Sequence, residues 1–240
     1  MRMQLPQNHE VMIESPEVAL RAVLTIPANA RSIVLFAHGA GGSRHSPRNQ
    51  YVAQKLQDAE FATLLMDLLT EDEERIDAYT ARLRFDIPLL AGRLESATGW
   101  VRSHEPTKDF DIGYFGVDTG AAAALVAAIQ RPEAIRAIVS RGGRPDLALN
   151  VLPEVKPPVL FIVGAKDQIV LEINKEAAKR LTTEHNLVVI PSASHLFEEP
   201  GKLDMVARHT QRWFARYMRT PDDSLKAGDK HSHVESYLFG

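Results

Sequence analysis

The feature that most constrains this fold is a repeated alternation of short apolar runs with segments of helical spacing. The apolar runs are continuous, which is typical of strands that are covered on both faces. They lie at 33–37, 61–66, 112–117, 135–139, 159–163 and 187–190, and helical spacing follows at 47–58, 77–103, 120–130, 172–181 and 203–217. Such alternation predicts an α/β fold with a mostly parallel, doubly wound sheet and helices on both of its faces.

The two ends of the chain depart from this alternation. Residues 9–26 alternate apolar and polar side chains around Ser15-Pro16, which predicts an antiparallel pair of strands. We expect one domain over 1–220 and a polar tail outside the core over 221–240. Inside the domain, the spacing predicts an acidic loop at 67–74 and one long helix at 77–103 that bends at Pro88.

Composition excludes several classes of function. Lys and Arg total 28 against 31 Asp and Glu, which argues against a nucleic-acid or anionic-membrane footprint. The chain has no cysteine, so thiolate metal sites, disulfides and a cysteine nucleophile are excluded. No nucleotide-binding glycine motif is present, and no cofactor is expected. With no signal peptide and no membrane span expected, the sequence predicts a cytoplasmic protein that acts on a small molecule, and it leaves a homodimer open.

The sharpest motif stands between the apolar run 112–117 and the alanine-rich segment that follows it. It reads Gly116-Val117-Asp118-Thr119-Gly120 and fits the nucleophile elbow, Gly-x-nucleophile-x-Gly. Small residues flank the central position because the turn is tight and pushes its side chain out over the sheet. This predicts Asp118 as a nucleophile. The alternative is that Asp118 only caps the following helix, since aspartate is a favoured N-cap residue.

Two further residues follow in the order that an elbow requires, which is nucleophile, acid and histidine. Asp167 comes directly after the run 159–163, and His195 comes on the loop after 187–190. An earlier glycine-rich loop, His38-Gly39-Ala40-Gly41-Gly42, is placed to supply a backbone donor. We therefore predict a triad of Asp118, Asp167 and His195, and an oxyanion hole built from the N–H groups of Ala40 and Thr119.

Taken together, these stretches resemble an α/β-hydrolase, in particular the small lidless branch that is similar to dienelactone hydrolase. The resembling stretches are HGAGGSRHSPRN at 38–49, TARLRFDIPLL at 80–90, GYFGVDTGAAAAL at 113–125, VSRGGRPDL at 139–147, 163–170 and SHLFEEPG at 194–201. The resemblance implies a hydrolase without a lid domain, with its nucleophile at 118, its acid at Asp167 and its base at His195. That branch usually carries serine at the elbow, whereas an elbow aspartate resembles epoxide hydrolases and haloalkane dehalogenases.

An elbow aspartate suggests a two-step hydrolysis. Asp118 attacks an electrophilic carbon and forms an ester, and water activated by His195 then cleaves that ester while Asp167 orients the imidazole. This chemistry suits an epoxide, while an ester or a lactone would pass through an anhydride. In a one-step alternative, Asp118 and His195 activate water directly. The halide-holding tryptophan of dehalogenases is missing, because position 119 is threonine.

Other interpretations remain open at this point. In one of them, the protein is a serine-esterase relative whose elbow residue is replaced, naturally or by design, so that it is inactive or only binds a ligand. An aspartic protease is the third alternative, but no second Asp-Thr-Gly or Asp-Ser-Gly exists. For substrate binding we nominate Arg44 and Arg141, whose guanidinium groups suit a carboxylate, and Tyr79. Solvated arginines, or ion pairs with Asp86 or Asp146, are the structural alternative.

Overall fold

Eight strands form one twisted sheet in the computed structural model, which describes residues 8–39 and 42–220. The strand order is β1-β2-β4-β3-β5-β6-β7-β8. Strand β2 is antiparallel to both of its neighbours, and β3 through β8 are parallel to one another. The strands are β1 Asn8–Glu14, β2 Ala19–Thr25, β3 Ser32–Ala37, β4 Ala62–Met66, β5 Asp111–Val117, β6 Ile135–Arg141, β7 Val159–Gly164 and β8 His185–Ile190. The predicted sheet, with its antiparallel N-terminal pair, is confirmed.

Helices cover both faces of this sheet. They are α1 Pro47–Gln57, α2 Glu71–Thr80, α3 Ile87–Ser103, α4 Thr119–Gln130, α5 Gln168–Ala178 and α6 Lys202–Tyr217. Alternate residues of β3 point to opposite sides: Leu35 packs with α3 and α4, and Phe36 packs with α1 and α6. Every residue of β3 is buried, which is why its sequence is continuously apolar rather than alternating.

The segment between β4 and β5 differs from the sequence prediction. The acidic loop expected at 67–74 is wrong, because α2 already begins at Glu71, where Thr70 and Glu73 form a capping box. The single bent helix expected at 77–103 is also wrong. The chain leaves α2 through Ala81, at φ 50°, and Pro88 stands in the first turn of α3, where a missing N–H costs nothing.

A buried carboxylate explains why the helix breaks there. Asp77 accepts hydrogen bonds from the N–H groups of Leu83 and Arg84 and also from the Arg84 side chain. These bonds stabilise a turn that apolar spacing alone does not reveal.

The connection from β6 to β7 is short, as expected for a fold without a lid domain. It contains only the 3₁₀ turns Pro145–Ala148 and Leu152–Glu154. None of the helices that the structure describes is both long and apolar enough to cross a membrane. The tail predicted at 221–240 lies outside the described residues.

Candidate active site

The turn between β5 and α4 has the backbone conformation of a strained elbow. Asp118 stands at φ 52° and ψ −123°, on the side of conformational space that L-residues avoid. Such a conformation costs on the order of 1–3 kcal/mol and persists only where the surroundings enforce it. It lifts the Asp118 side chain above the carboxyl end of the sheet, the edge at which open α/β sheets bind their ligands.

Close backbone approach around the elbow explains its flanking glycines. A Cβ atom at Gly120 would lie 2.2 Å from the carbonyl oxygen of Ala37, and one at Gly116 would lie 2.4 Å from the Cα of Ala121. No side chain fits at either position without moving the backbone. The Gly-x-Asp-x-Gly pattern is therefore a packing requirement that fixes where Asp118 stands.

The carboxylate of Asp118 does not act as a helix cap. Asp118 occupies the N-cap position of α4, yet its side chain accepts no hydrogen bond there. Asp86 and Asp167, at the same position of α3 and α5, do accept one each, from Leu89 and Val170. Within the described chain no hydrogen bond or ion pair is found for the Asp118 carboxylate, so the structure leaves it available.

His195 and Asp167 form a directed pair on the neighbouring loops. The Nδ1 of His195 lies 2.7 Å from the Oδ2 of Asp167, while the other carboxylate oxygen caps α5. An ionised carboxylate only accepts, so Nδ1 carries the proton and Nε2 keeps its lone pair. A Cβ at Gly142, which stands at φ 51°, would lie 3.3 Å from the Cε1 of His195. This pair gives a histidine that is oriented to remove a proton through Nε2.

One cleft of about 360 Å³ brings these groups together. Its lining includes Asp118, His195, Arg48 and Arg141. No hydrogen bond or ion pair joins Asp118 to His195 among the residues that the structure describes. Such contact is essential for a serine, which must lose its proton before it attacks, but an aspartate is already ionised at neutral pH.

The structure describes one of the two residues that were predicted to form the oxyanion hole. Thr119 is the first residue of α4, so its N–H is among those that a helix leaves unpaired. Ala40, the other predicted donor, lies outside the described residues. His38, at the start of the same glycine-rich loop, is buried and lies against Asp67. Its Nδ1 is 3.0 Å from the oxygen of Gly39, and its Nε2 accepts a hydrogen bond from the N–H of Leu68. The bond from Leu68 ties the start of this loop to the segment just after β4, a role that the sequence analysis missed.

Arg141 differs from the other arginines of this site. It is 5% exposed, and its Nη1 is buried with no hydrogen-bond partner among the residues that the structure describes. Burial, together with the nearby charge of Arg48, lowers the pKa of Arg141 to about 10. Its guanidinium carbon lies 6.0 Å from the ring centre of Phe197. A buried cation is costly unless it is paired, and no described carboxylate pairs with Arg141, so an anion in the cleft could interact with this guanidinium.

The two remaining nominated residues have other surroundings. Arg44 pairs with Asp67 through both its side chain and its backbone N–H, so its charge already has a partner, though not the Asp86 or Asp146 considered from sequence. Tyr79 is 93% exposed on α2 and does not line the cleft.

Arg144 does pair with Asp146, and this bond, with a smaller contribution from Asp118, raises the pKa of Arg144.

Comparison with known proteins matches this geometry to a family. A sequence model described as "Dienelactone hydrolase family" matches residues 20–220. The crystal structure of a dienelactone hydrolase from Anabaena variabilis is 55% identical, covers 89% of this chain and 99% of its own, and superposes with a TM-score of 0.87. A lidless α/β serine hydrolase from Xanthomonas campestris is 20% identical, with coverages of 92% and 99%, and shares the fold at a TM-score of 0.72.

The matches with curated relatives each cover about half of the relative's own length. A Mycobacterium tuberculosis protein named "Putative phosphoribosyl transferase" is 49% identical over 218 residues, which are 91% of this chain but 48% of that protein. The Pseudomonas putida carboxymethylenebutenolidase is 32% identical over 131 residues, 55% of this chain and 53% of that enzyme. The chain thus spans about half the length of the curated relatives it matches.

Proposed function

The chain belongs to the dienelactone hydrolase family, and from this premise we propose that it hydrolyses small anionic molecules by covalent catalysis at Asp118. Esters, lactones and epoxides are the substrate classes in question. The observation that carries the proposal is a carboxylate on a strained elbow that has no hydrogen bond or ion pair among the described residues and that shares a cleft with His195, which is paired with Asp167. With aspartate at this position the catalytic roles differ from those of a serine hydrolase. The nucleophile needs no base, and the histidine is left to activate water.

The proposed reaction has two steps. In the first, a carboxylate oxygen of Asp118 bonds to the electrophilic carbon and the carbon–oxygen bond of the substrate breaks. The alkoxide oxygen released from an epoxide, an ester or a lactone takes a proton from solvent. In the second, Nε2 of His195 removes a proton from water, and the hydroxide attacks the carboxyl carbon of Asp118. The Thr119 N–H stabilises the oxyanion. Its collapse breaks the bond between the Asp118 carboxyl carbon and the product oxygen, and the proton held on Nε2 passes to that oxygen or to solvent. The Asp118 carboxyl then loses its own proton to solvent, which restores the carboxylate.

The cationic side of the cleft supports an anionic substrate. Arg141 and Arg48 both line it, and the Arg48 guanidinium lies 3.1 Å from Glu198 on its outer side. A carboxylate on the substrate would give Arg141 the partner that the protein does not. Charged hydrogen bonds of this kind contribute about 1.5–3 kcal/mol. We therefore assign substrate binding to Arg141 in preference to Arg44, whose charge Asp67 already balances.

Isotope labelling during a single turnover tests the covalent step. Excess enzyme in ¹⁸O-water is mixed with a panel of carboxylate-bearing esters, lactones and epoxides, and the peptide that holds Asp118 is then analysed by mass spectrometry. One ¹⁸O in that carboxylate is the expected result, because water attacks the carboxyl carbon. Asp118→Asn is the matched control and should lose both turnover and label. Turnover with an unlabelled Asp118 would replace covalent catalysis by direct attack of water.

A second candidate function has its own supporting observation. The absence of a described contact between Asp118 and His195 also fits a serine-type site in which aspartate has replaced the nucleophile, so that the cleft binds ligand without turnover. Asp118→Ser distinguishes the two. If the wild type turns over nothing in the panel while the serine variant cleaves esters, the cleft is a binding site. If the wild type is active and labelled, the aspartate is the nucleophile.

A further inference from the structure

A carboxylate outside the triad connects the two loops that carry its acid and its base. Glu199 lies just before α6, and its carboxylate accepts two hydrogen bonds from the N–H of Ser194, at 2.9 and 3.0 Å. The ammonium group of Lys166 lies 3.1 Å from the same carboxylate. Ser194 directly precedes His195, and Lys166 directly precedes Asp167. One side chain is thus bonded to the residue before each member of the pair.

The loop that carries His195 needs such support. Ser192 and Phe197, which flank the histidine, both stand at φ 57°. A left-handed conformation costs a residue with a side chain roughly 1–2 kcal/mol, so this loop holds a shape that its own residues disfavour. The Phe197 side chain is 1% exposed and is held in place by the core. Ser194 is half-buried and His195 is exposed, so the core does not hold them in the same way. The hydrogen bonds from Ser194 to Glu199 fix the loop between these two strained positions.

The loops are also too close to shift independently. The Lys166 N–H donates to the oxygen of Ala193 at 2.9 Å, and a Cβ at Gly164 would lie 2.4 Å from the oxygen of Ser194. A displacement of either loop therefore changes the spacing between Nδ1 of His195 and Oδ2 of Asp167, which is 2.7 Å. The hydrogen bonds from Ser194, with help from Lys166, lower the pKa of Glu199 to about 2, so the carboxylate stays charged near neutral pH.

From these contacts we propose that Glu199 is a positioning residue, which aligns His195 with Asp167 by holding Ser194 and Lys166 together. Glu199 does not line the cleft, and among the described residues its side chain bonds to Ser194 and Lys166 rather than to the triad side chains, so it acts through backbone placement. The proposal rests on the proposed function, because it assigns Glu199 to the base that activates water.

Two readouts test this, and one of them does not depend on turnover. The proton on Nδ1 of His195, observed by NMR, reports the hydrogen bond to Asp167 directly. In Glu199→Ala we expect this resonance to broaden or disappear, and kcat to fall about tenfold or more while KM stays within about twofold, the scale of a lost orienting carboxylate. Glu199→Gln keeps an acceptor for the Ser194 N–H but loses the charge, and should fall between wild type and Glu199→Ala.

Glu176→Gln is the matched control. It makes the same change of charge and also breaks a Lys–Glu ion pair of 3.1 Å, with Lys179, on the exposed surface of α5. Its NMR signal and kcat should equal those of the wild type. If Glu199→Ala is unfolded in a thermal melt, Glu199→Gln decides the question.

A wild-type Nδ1 resonance and kcat in a folded Glu199 variant would overturn the proposal. Should the wild-type protein hydrolyse nothing, the proposed function fails, while the NMR comparison still decides whether Glu199 aligns the pair.

Discussion

Arg141→Met should stabilise the protein while it weakens binding of anionic substrates, and this combination separates a functional arginine from a structural one. Arg141 is 5% exposed with an unpartnered Nη1. A buried donor without a partner costs about 1–3 kcal/mol. Methionine keeps the length of the apolar stem, and its sulfur replaces the cation–π contact with Phe197 by a contact of similar strength, about 1 kcal/mol. The free energy of unfolding should therefore rise by about 1–2 kcal/mol.

Arg93→Met is the control, because Arg93 is buried to a similar extent but the expected change in stability has the opposite sign. It is 3% exposed, and it donates to the oxygen of Leu68 and to both carboxylate oxygens of Glu73. Arg93→Met removes the cationic partner of Glu73 and should lower the free energy of unfolding by about 3 kcal/mol, because breaking a buried pair leaves an uncompensated charge. Urea denaturation of both variants gives the two free energies. At this chain length each kcal/mol shifts Tm by about 2–4 °C, so calorimetry should show shifts of opposite sign.

Binding supplies the other half of this prediction. Loss of a charged hydrogen bond worth about 1.5–3 kcal/mol should raise KM, or a measured Kd, for carboxylate-bearing substrates about tenfold to a hundredfold. The methyl ester of the same substrate lacks the charge and should bind both proteins alike. The reasoning is refuted if Arg141→Met destabilises the fold as much as Arg93→Met does, or if it weakens charged and neutral substrates equally.

Three further predictions address the site and its scaffold. Asp167→Asn should lower kcat about a hundredfold or more by removing the charge that orients His195, with KM unchanged in steady-state kinetics; an unchanged kcat would argue against this role. Gly120→Ala should cost at least about 2 kcal/mol in urea denaturation, because its Cβ would meet the oxygen of Ala37 at 2.2 Å, and an unchanged midpoint would contradict the packing argument. Burial raises the pKa of Glu73, but its interactions with Arg93 and Thr70 together outweigh this and lower the pKa. Its contribution to stability is therefore present above its unfolded-state pKa and is lost as pH falls through the lowered value, so a pH series of melts should show that acid-side loss shrinking in Glu73→Gln.

The position of each site residue on the sheet followed from local sequence. Asp118, Asp167 and His195 each lie on the turn or loop that follows an apolar run, and parallel strands place such residues at one edge. The structure places all three there, and the elbow conformation of Asp118 agrees with its flanking glycines. The prediction was wrong between residues 67 and 103. There a capping box and the buried Asp77 set the ends of the helices through contacts that hydrophobic spacing does not encode.

The partners of charged groups could not be predicted in the same way. From sequence, Arg44 and Arg141 were equivalent candidates for a substrate carboxylate. Folding brings Asp67, 23 positions further along the chain, against Arg44, whereas the Nη1 of the buried Arg141 has no hydrogen-bond partner among the described residues. The same applies to Glu199, whose bond to Lys166 spans 33 positions.

Outside residues 67–103, the sequence by itself determined the alternation of strands and helices, and with it the edge of the sheet where the candidate site lies, because periodicity and tight turns are properties of neighbouring residues. Only the tertiary structure decided which arginine keeps an uncompensated charge and which carboxylate holds the loops of His195 and Asp167 together. Those outcomes depend on distances between segments far apart along the chain, which the packing of the whole sheet fixes.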